Sequence, residues 1–257
     1  MFILAIDQST ATGSAALLND QRLVAARRWQ ETRALPQQFF PSLQAMLRET
    51  GLEISAIELY VVGVGPGYYS SLRTALAAVR AMALPGKTAV YGITSAEALA
   101  WQVAQAEHVT RVRIVGDARR EQWWTRLFLR QADFMSPTGD WELVDPPATL
   151  ARSDCLPAVP SAQPMQAGGL RPGAFQVGEA EAVATPDWTR LGARLPALVQ
   201  SAVRLITGAL IPEAETLGRL ALARLAQGIA SEPLAPIYLH PAVRGITGSC
   251  QAPGHAL

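Results

Sequence analysis

An α/β fold with mixed sheets and flanking helices is predicted by three features of the sequence. Apolar runs of strand length alternate with helical patterns from residue 2 to residue 106. A Gly-Pro-Gly turn, Gly65-Pro66-Gly67, joins an apolar strand to a helix. The chain has 257 residues, 49% of them apolar, which is enough for one large core or for two lobes of ordinary domain size.

The elements follow in order. Phe2 to Ile6 is an apolar run that suits a buried strand. Ser14 to Leu18 and Leu23 to Arg27, parted by the turn residues Asn19-Asp20, complete an opening meander. Phe39, Phe40, Leu43, Met46 and Leu47 recur at helical spacing until Gly51. Leu59 to Val64 is a strand. Leu72, Ala75, Leu76, Val79 and Met82 mark a helix that stops at Pro85-Gly86. Thr88 to Tyr91 is a strand, and Thr94 with Glu97 fits a capping box for the next helix. The succession β-β-β-α-β-α-β-α means a mixed sheet with helices, not a bundle or a sandwich.

A second lobe opens with strands at Val112 to Gly116 and Gln122 to Leu129. Trp123 and Trp124 fall on opposite faces of the second of these, so one is expected in the core and the other exposed or covered by a partner. Residues 131 to 195 predict short strands and long loops. Ala197 to Leu210 and Glu213 to Gln227 predict helices, and the tail from Pro233 predicts a short Pro-Ile-Tyr-Leu segment followed by fraying. The division expected is a first lobe over 1–106, a second over 107–232 whose last helix packs back on the first, and a tail over 233–257.

Composition excludes several classes. Lys+Arg 22 against Asp+Glu 21 leaves no global basic field for nucleic acid. Two cysteines, Cys155 and Cys250, are too few for a disulfide framework and fit a reducing cytoplasm, with a single bridge left open. The opening meets Asp7 too early for a signal peptide, and no apolar run is long enough to span a bilayer. His108, His240 and His255 lie far apart, with no His-x-x-x-His or His-Glu-x-x-His pair to bind a metal. No Cys/His pair or Gly-x-Ser-x-Gly elbow points to covalent catalysis.

Gly65-Pro66-Gly67 before a helix suits either of two roles. Glycines let a backbone approach an anion at a helix start, where unpaired N–H groups and the dipole favour negative charge. The same turn also serves as a rigid corner. Asp7, Ser9 and Thr10 after the first strand could engage metal and phosphate, or could form a strand-end turn in which Asp7 accepts nearby N–H groups. A lone Asp-x-Ser-Thr is a weak motif, and the structural reading is preferred. Arg73, in the first turn of its helix against the dipole, predicts a partner. Asp117-Ala118-Arg119-Arg120-Glu121 reads as a solvated hairpin turn.

The chain resembles the TsaB family of bacterial tRNA threonylcarbamoyladenosine biosynthesis subunits, formerly described as glycoprotease-like. The resemblance rests on Ile3-Leu4-Ala5-Ile6-Asp7-Gln8-Ser9-Thr10, Val62-Gly63-Val64-Gly65-Pro66-Gly67, Leu72-Arg73, Gly92-Ile93-Thr94-Ser95 with Glu97-Ala98-Leu99, Asp117-Ala118-Arg119-Arg120-Glu121 and Pro236-Ile237-Tyr238-Leu239, in the family's order and at similar spacing. One departure stands out. The family follows the turn with Ser-Phe-Thr-Gly, whereas this chain has Tyr68-Tyr69-Ser70-Ser71. A bulky Tyr68 there argues against phosphate binding and leaves a diverged paralogue open.

The resemblance implies a two-lobed actin-like ATPase (ribonuclease H-like) fold and a non-catalytic scaffold role. The catalytic partner would be TsaD, which carries the metal and transfers a threonylcarbamoyl group from threonylcarbamoyl-adenylate to the adenosine beside the anticodon. The TsaE ATPase would join, tRNA would be met only indirectly, and the chain alone would be a possible homodimer. Docking is implied for the two first-lobe helices, with Phe39, Phe40, Leu43 and Leu47 on one and Leu72, Ala75, Leu76, Val79 and Ala83 on the other, across an interface of about 1,600 Å². No cofactor would be required. The alternatives are an actin-like kinase or ATPase that binds ATP or ADP with magnesium through Asp7, Ser9, Thr10, Gly65 and Gly67, and a homodimeric paralogue outside the tRNA pathway.

Overall fold

A computed structural model of the chain describes residues 1–31, 38–144, 180–198 and 203–239. The expectations for Cys155, Cys250, His240 and His255 fall outside these residues.

The first lobe begins as the apolar patterning dictates. β1 (Phe2–Asp7), β2 (Thr12–Asn19) and β3 (Arg22–Gln30) form an antiparallel meander. After α1 (Phe39–Thr50), β4 (Leu59–Gly63) joins β1 in parallel, and after α2 (Tyr69–Ala83), β5 (Ala89–Ile93) joins β4 in parallel. The strand order is β3-β2-β1-β4-β5. Helices cover both faces of this sheet, so its central strands read as unbroken apolar runs. Leu4, Ile6, Tyr60 and Val62 point to α1 and α2. Ile3, Ala5, Leu59 and Val61 point to the other side, where α5 (Ala214–Ala226) lies across the sheet. The side chain of Ser14 fixes the start of α5: its Oγ donates to Pro212 O and accepts from Ala214 N.

α3 (Ser95–Glu107) joins the lobes. Its residues from Ser95 to Ala104 are buried apart from half-buried Trp101 and Gln102, because it is packed between two sheets. Ala98 sits in the first-lobe core, while Leu99, Val103 and Ala104 sit in the second. Thr94 Oγ1 accepts from Glu97 N at 3.2 Å, as the capping pattern predicts. The Glu97 carboxylate does not close the box. It pairs instead with Arg224 of α5 at 2.8 Å, and Arg224 also reaches Glu232.

The second lobe repeats the first in outline. β6 (Arg111–Arg119), β7 (Gln122–Arg130) and β8 (Met135–Val144) form an antiparallel meander, and β9 (Ala182–Ala184) and β10 (Arg204–Leu205) add in parallel to give β10-β9-β6-β7-β8. Two sheets of the same strand order, flanked by helices, face each other across a cleft, as a two-lobed α/β fold requires.

Two expectations are corrected. Ala197 to Leu210 is not helical on its described part. Leu195–Leu198 is a 3-10 turn, Arg204–Leu205 is β10 and Gly208 takes a φ of +101°. Val203 and Leu205 pack on one face of the sheet and Ile206 and Leu210 on the other, which strand pairing allows and a helix would not. Trp123 and Trp124 do lie on opposite faces, but both are buried, because α3 covers one face and α4 (Trp188–Leu191) with Leu195 covers the other. The expected Pro-Ile-Tyr-Leu segment is held on the first lobe, and the fraying expected after it falls outside the described residues. Arg80 Nη2 donates to Leu234 O, Ile237 N donates to Val64 O, and Leu234 and Ile237 pack on the first-lobe core.

Candidate functional site

The carboxyl ends of β1 and β4 in one lobe, and of β6 and β9 in the other, open into a common cleft of about 800 Å³. This is the position at which open α/β sheets bind ligands. Its walls come from the β1–β2 loop, the Gly-Pro-Gly turn with the start of α2, the β6–β7 turn, Pro186 and Asp187 after β9, and the strap Ile237–Leu239.

Asp7 is fully buried, two residues before Ser9 of the cleft wall. Its Oδ1 accepts from Ser9 N at 2.8 Å and Ser9 Oγ at 2.7 Å, and its Oδ2 accepts from Ser95 Oγ at 2.5 Å. Ser95 Oγ in turn accepts from Gly65 N at 3.1 Å, and Ser95 N donates to Gly65 O at 2.9 Å. Asp7 therefore links the β1–β2 loop and the start of α3, and Ser95 carries the link to the turn. Burial raises its pKa, and the bonds from Ser95 and Ser9 oppose that rise. Gly63 makes room for this carboxyl: a methyl group at Gly63 would overlap Asp7 Oδ2. Thr10 closes its own turn, donating to Thr12 O and accepting from Thr12 N.

The Gly-Pro-Gly turn is occupied by protein. Gly65 takes a φ of +93°, a conformation that favours glycine. Gly67 lies against the carbonyl of Ser9, which a Cβ at that position would overlap. The next N–H, of Tyr68, donates to the same carbonyl at 2.7 Å. The Tyr68 N–H, one of the groups that would cradle a phosphate, is thus engaged by the β1–β2 loop. Asp7, Ser9, Gly65 and Gly67 come together as the sequence suggests, but as a corner that holds itself shut.

The cleft mouth is aromatic and basic. Tyr68 carries the Arg119 guanidinium 5.5 Å from its ring centre, a contact from lobe to lobe. Arg73 has the partner its position predicts, the Tyr69 phenol: Nη1 donates to the hydroxyl at 2.8 Å and the guanidinium lies 5.2 Å from the ring centre. The Tyr69 and Tyr238 rings are 5.2 Å apart. The Asp117–Glu121 turn is tight, with positive φ at Arg119, Arg120 and Glu121. It is not simply solvated, since Asp117 to Arg120 line the cleft and Asp117 pairs with Arg190 at 2.7 Å and Arg119 at 3.3 Å. Asp187 accepts from Asp117 N, and burial raises its pKa to about 6. Neither Asp187 nor Arg190 carries a motif that a single sequence reveals. Among the described residues no three His, Cys, Asp or Glu side chains converge as a metal site, and no helix is long and apolar enough to cross a membrane.

The interface expectation changes in its residues. Phe39, Leu43, Ala75, Leu76, Val79 and Ala83 are buried in the first-lobe core, and Leu72 is buried beside Gly65 at the cleft, so none of them reaches a partner docked on these helices. Leu47 is half-buried, and Phe40 stands 56% exposed. The outward side of α2 carries Ser70, Thr74, Ala77, Ala81 and then Leu84, all exposed.

A family model described as "TsaD: tRNA N6-adenosine threonylcarbamoyltransferase" matches residues 30–131. The tRNA threonylcarbamoyladenosine biosynthesis protein TsaB of Escherichia coli is 30% identical over 125 residues, 48% of this chain and 54% of that protein. An uncharacterized protein of Mycobacterium tuberculosis is 31% identical over 127 residues, 48% of this chain and 58% of its own length. The chain thus spans less than two thirds of the curated relatives it matches. The solved structure of YeaZ from Pseudomonas aeruginosa aligns with a TM-score of 0.68 at 25% identity, over 93% of this chain and 99% of that one. A second structure from the same bacterium, described as similar to peptidase YEAZ, gives a TM-score of 0.70 at 26% identity over the same shares. By motif order, by fold and by these likenesses, the chain is TsaB-like.

Proposed function

We propose that this chain is a non-catalytic, cytoplasmic scaffold subunit that binds a TsaD-type transferase through the outward face of α2 and the neighbouring end of α1, with a TsaE-type ATPase joining the assembly. The observation that carries this reading is the exposed row Ser70, Thr74, Ala77 and Ala81 on α2, which ends at Leu84, 76% exposed. Small side chains at this spacing let a second helix approach closely. The match to the transferase family model spans both helices. The closed corner around Asp7 fits a subunit that leaves chemistry to its partner, because both carboxylate oxygens serve the fold.

Co-purification with the TsaD-type protein of the same organism tests the reading. The wild-type chain forms a stable complex, and Ala77→Arg, exposed and in a strong helix former's favoured setting, abolishes it without unfolding the chain. A complex that survives both Ala77→Arg and Ala81→Arg refutes the docking face. Self-association that Ala77→Arg removes, with no transferase bound, favours the homodimeric paralogue instead.

A further inference from the structure

The β6–β7 turn holds one strained residue more than a hairpin needs. A two-residue type I′ turn accounts for the φ of +53° at Arg120 and +57° at Glu121. Arg119, the last residue of β6, is left-handed as well at +67°, which such a turn does not require. That conformation costs any residue with a Cβ and persists only where its neighbours over-determine it. Here they do. A β-bulge sets Asp117 opposite Trp123 and Arg119 opposite Gln122, which re-aims the end of β6. Asp117 Oδ1 accepts from Arg119 N at 2.8 Å, and Asp117 N donates to Asp187 Oδ2 at 2.8 Å. The Asp117 carboxylate also holds the Arg119 guanidinium at 3.3 Å and that of Arg190 at 2.7 Å. All these partners belong to the second lobe. The guanidinium they aim meets a ring of the first lobe, Tyr68, 5.5 Å from its centre.

Tyr68 is held as firmly from its own side. It stands extended before α2, its N–H donates to Ser9 O at 2.7 Å, and its side chain makes no capping bond. It is also the residue at which this chain departs from the turn of the family it resembles. Two other segments tie the lobes. α3 is packed between the sheets, and the strap lays Leu234 and Ile237 on the first core and Leu239 on the second. Both rest on buried or half-buried apolar side chains, and the strap also on the bond from Ile237 N to Val64 O. The Tyr68–Arg119 contact is made by side chains at the surface, with that of Arg119 50% exposed, so it releases without unpacking a core. We propose that Tyr68 and Arg119 form a clasp that holds the cleft mouth closed from lobe to lobe. When the guanidinium leaves the ring, the mouth opens between the β6–β7 turn and the start of α2, and the clasp thus gates the cleft.

Hydrogen exchange of the full chain, alone in solution and read amide by amide by NMR, tests this. The reporters are the N–H groups of Tyr68 in one lobe and Asp117 in the other, each bonded within its own lobe. Leu99 of α3, buried in the second-lobe core, reports global unfolding. Loss of a surface cation–π pair shifts an opening equilibrium by about two- to fivefold. Tyr68→Leu is expected to speed both reporters by that factor, although the change is made in the first lobe alone. Arg119→Met is expected to do the same from the second lobe. The double variant opens no further than either single one, and Tyr68→Phe, which keeps the ring, exchanges like wild type. A rise confined to the lobe that carries the substitution overturns the clasp. So do rises that multiply in the double variant, a rise shared by Leu99, a Tyr68→Phe variant that opens like Tyr68→Leu, or no change at all. No partner is present in the experiment, so failure of the docking face proposed above leaves its outcome untouched.

Discussion

Asparagine and alanine at Asp7 separate a carboxylate that does chemistry from one that holds a corner. Alanine removes the acceptor of Ser9 N, Ser9 Oγ and Ser95 Oγ together. The two hydroxyls can turn, but the Ser9 N–H cannot, and a buried donor left without a partner costs about 1–3 kcal/mol. With the lost bonds and the small void added, Asp7→Ala costs about 3 kcal/mol. Asparagine keeps the oxygen that serves Ser9 and presents an amide donor to Ser95 Oγ, which accepts besides only from Gly65 N and so has a lone pair to offer. It also removes a buried group whose ionisation burial already disfavours. Asp7→Asn is therefore expected within about 1 kcal/mol of wild type near neutral pH, where the carboxyl's raised pKa is a burden on the folded state. Urea unfolding of the three proteins reads both values. Thermal shift with millimolar magnesium–ATP completes the assay, because a ligand at about a hundred times its Kd stabilises by about 2.7 kcal/mol. A shift in wild type that vanishes in Asp7→Asn, with unfolding unchanged, would refute the structural role and restore the nucleotide-binding alternative.

Other perturbations follow from the same geometry. Gly63→Ala sets a methyl group into the Asp7 carboxyl and is expected to destabilise by about 2 kcal/mol or more, read by urea unfolding. Burial holds Glu97 up to about 7 against the pull of Arg224, and holds Asp187 up to about 6. Below their unfolded values, 4.5 and 3.8, both states are protonated; above those, the folded chain keeps protons that the unfolded chain has lost. Stability therefore falls as pH rises from about 4 towards 6 through Asp187 and from about 5 towards 7 through Glu97, by up to about 1.4 kcal/mol per unit for each group, and Glu97→Gln flattens its share of the slope. Arg224→Met leaves Glu97 buried without its cation and is expected to cost about 3–5 kcal/mol, measured at neutral pH.

The first lobe was legible in the sequence because its signals are local. Ile3 to Ile6 is apolar on every residue because both faces of β1 are covered, and Gly51, at a φ of +65°, ends α1 where a left-handed residue is needed. The Asp7 corner was half legible. A carboxylate two residues before a serine suggests a turn, but the Ser95 partner is 88 positions away and only the fold brings it there. Glu97 shows the limit of local rules. Its spacing from Thr94 predicts a capping box, yet a buried arginine 127 positions on offers the carboxylate a full charge in place of a backbone N–H. Asp187, which lines the cleft, and Arg190, which pairs with Asp117 beside it, come from a weakly patterned stretch, so no periodicity marked them.

The docking helices show why a stripe is harder to assign than to detect. Periodicity reports that Leu72, Ala75, Leu76 and Val79 are buried, but it does not say against what, and in an α/β lobe the helix's own sheet has first claim on them. What remains for a partner is the opposite side, where apolar bulk would be a liability and small residues are the mark. The consequence is measurable. Leu76→Arg drives a guanidinium into a side chain 4% exposed and is expected to cost more than about 4 kcal/mol, so a lost complex would report only an unfolded lobe. Ala77→Arg, one residue on and facing solvent, is expected within about 0.5 kcal/mol of wild type in urea. If both variants unfold alike, α2 does not sit on the sheet in this register, and the docking face proposed for it moves with it.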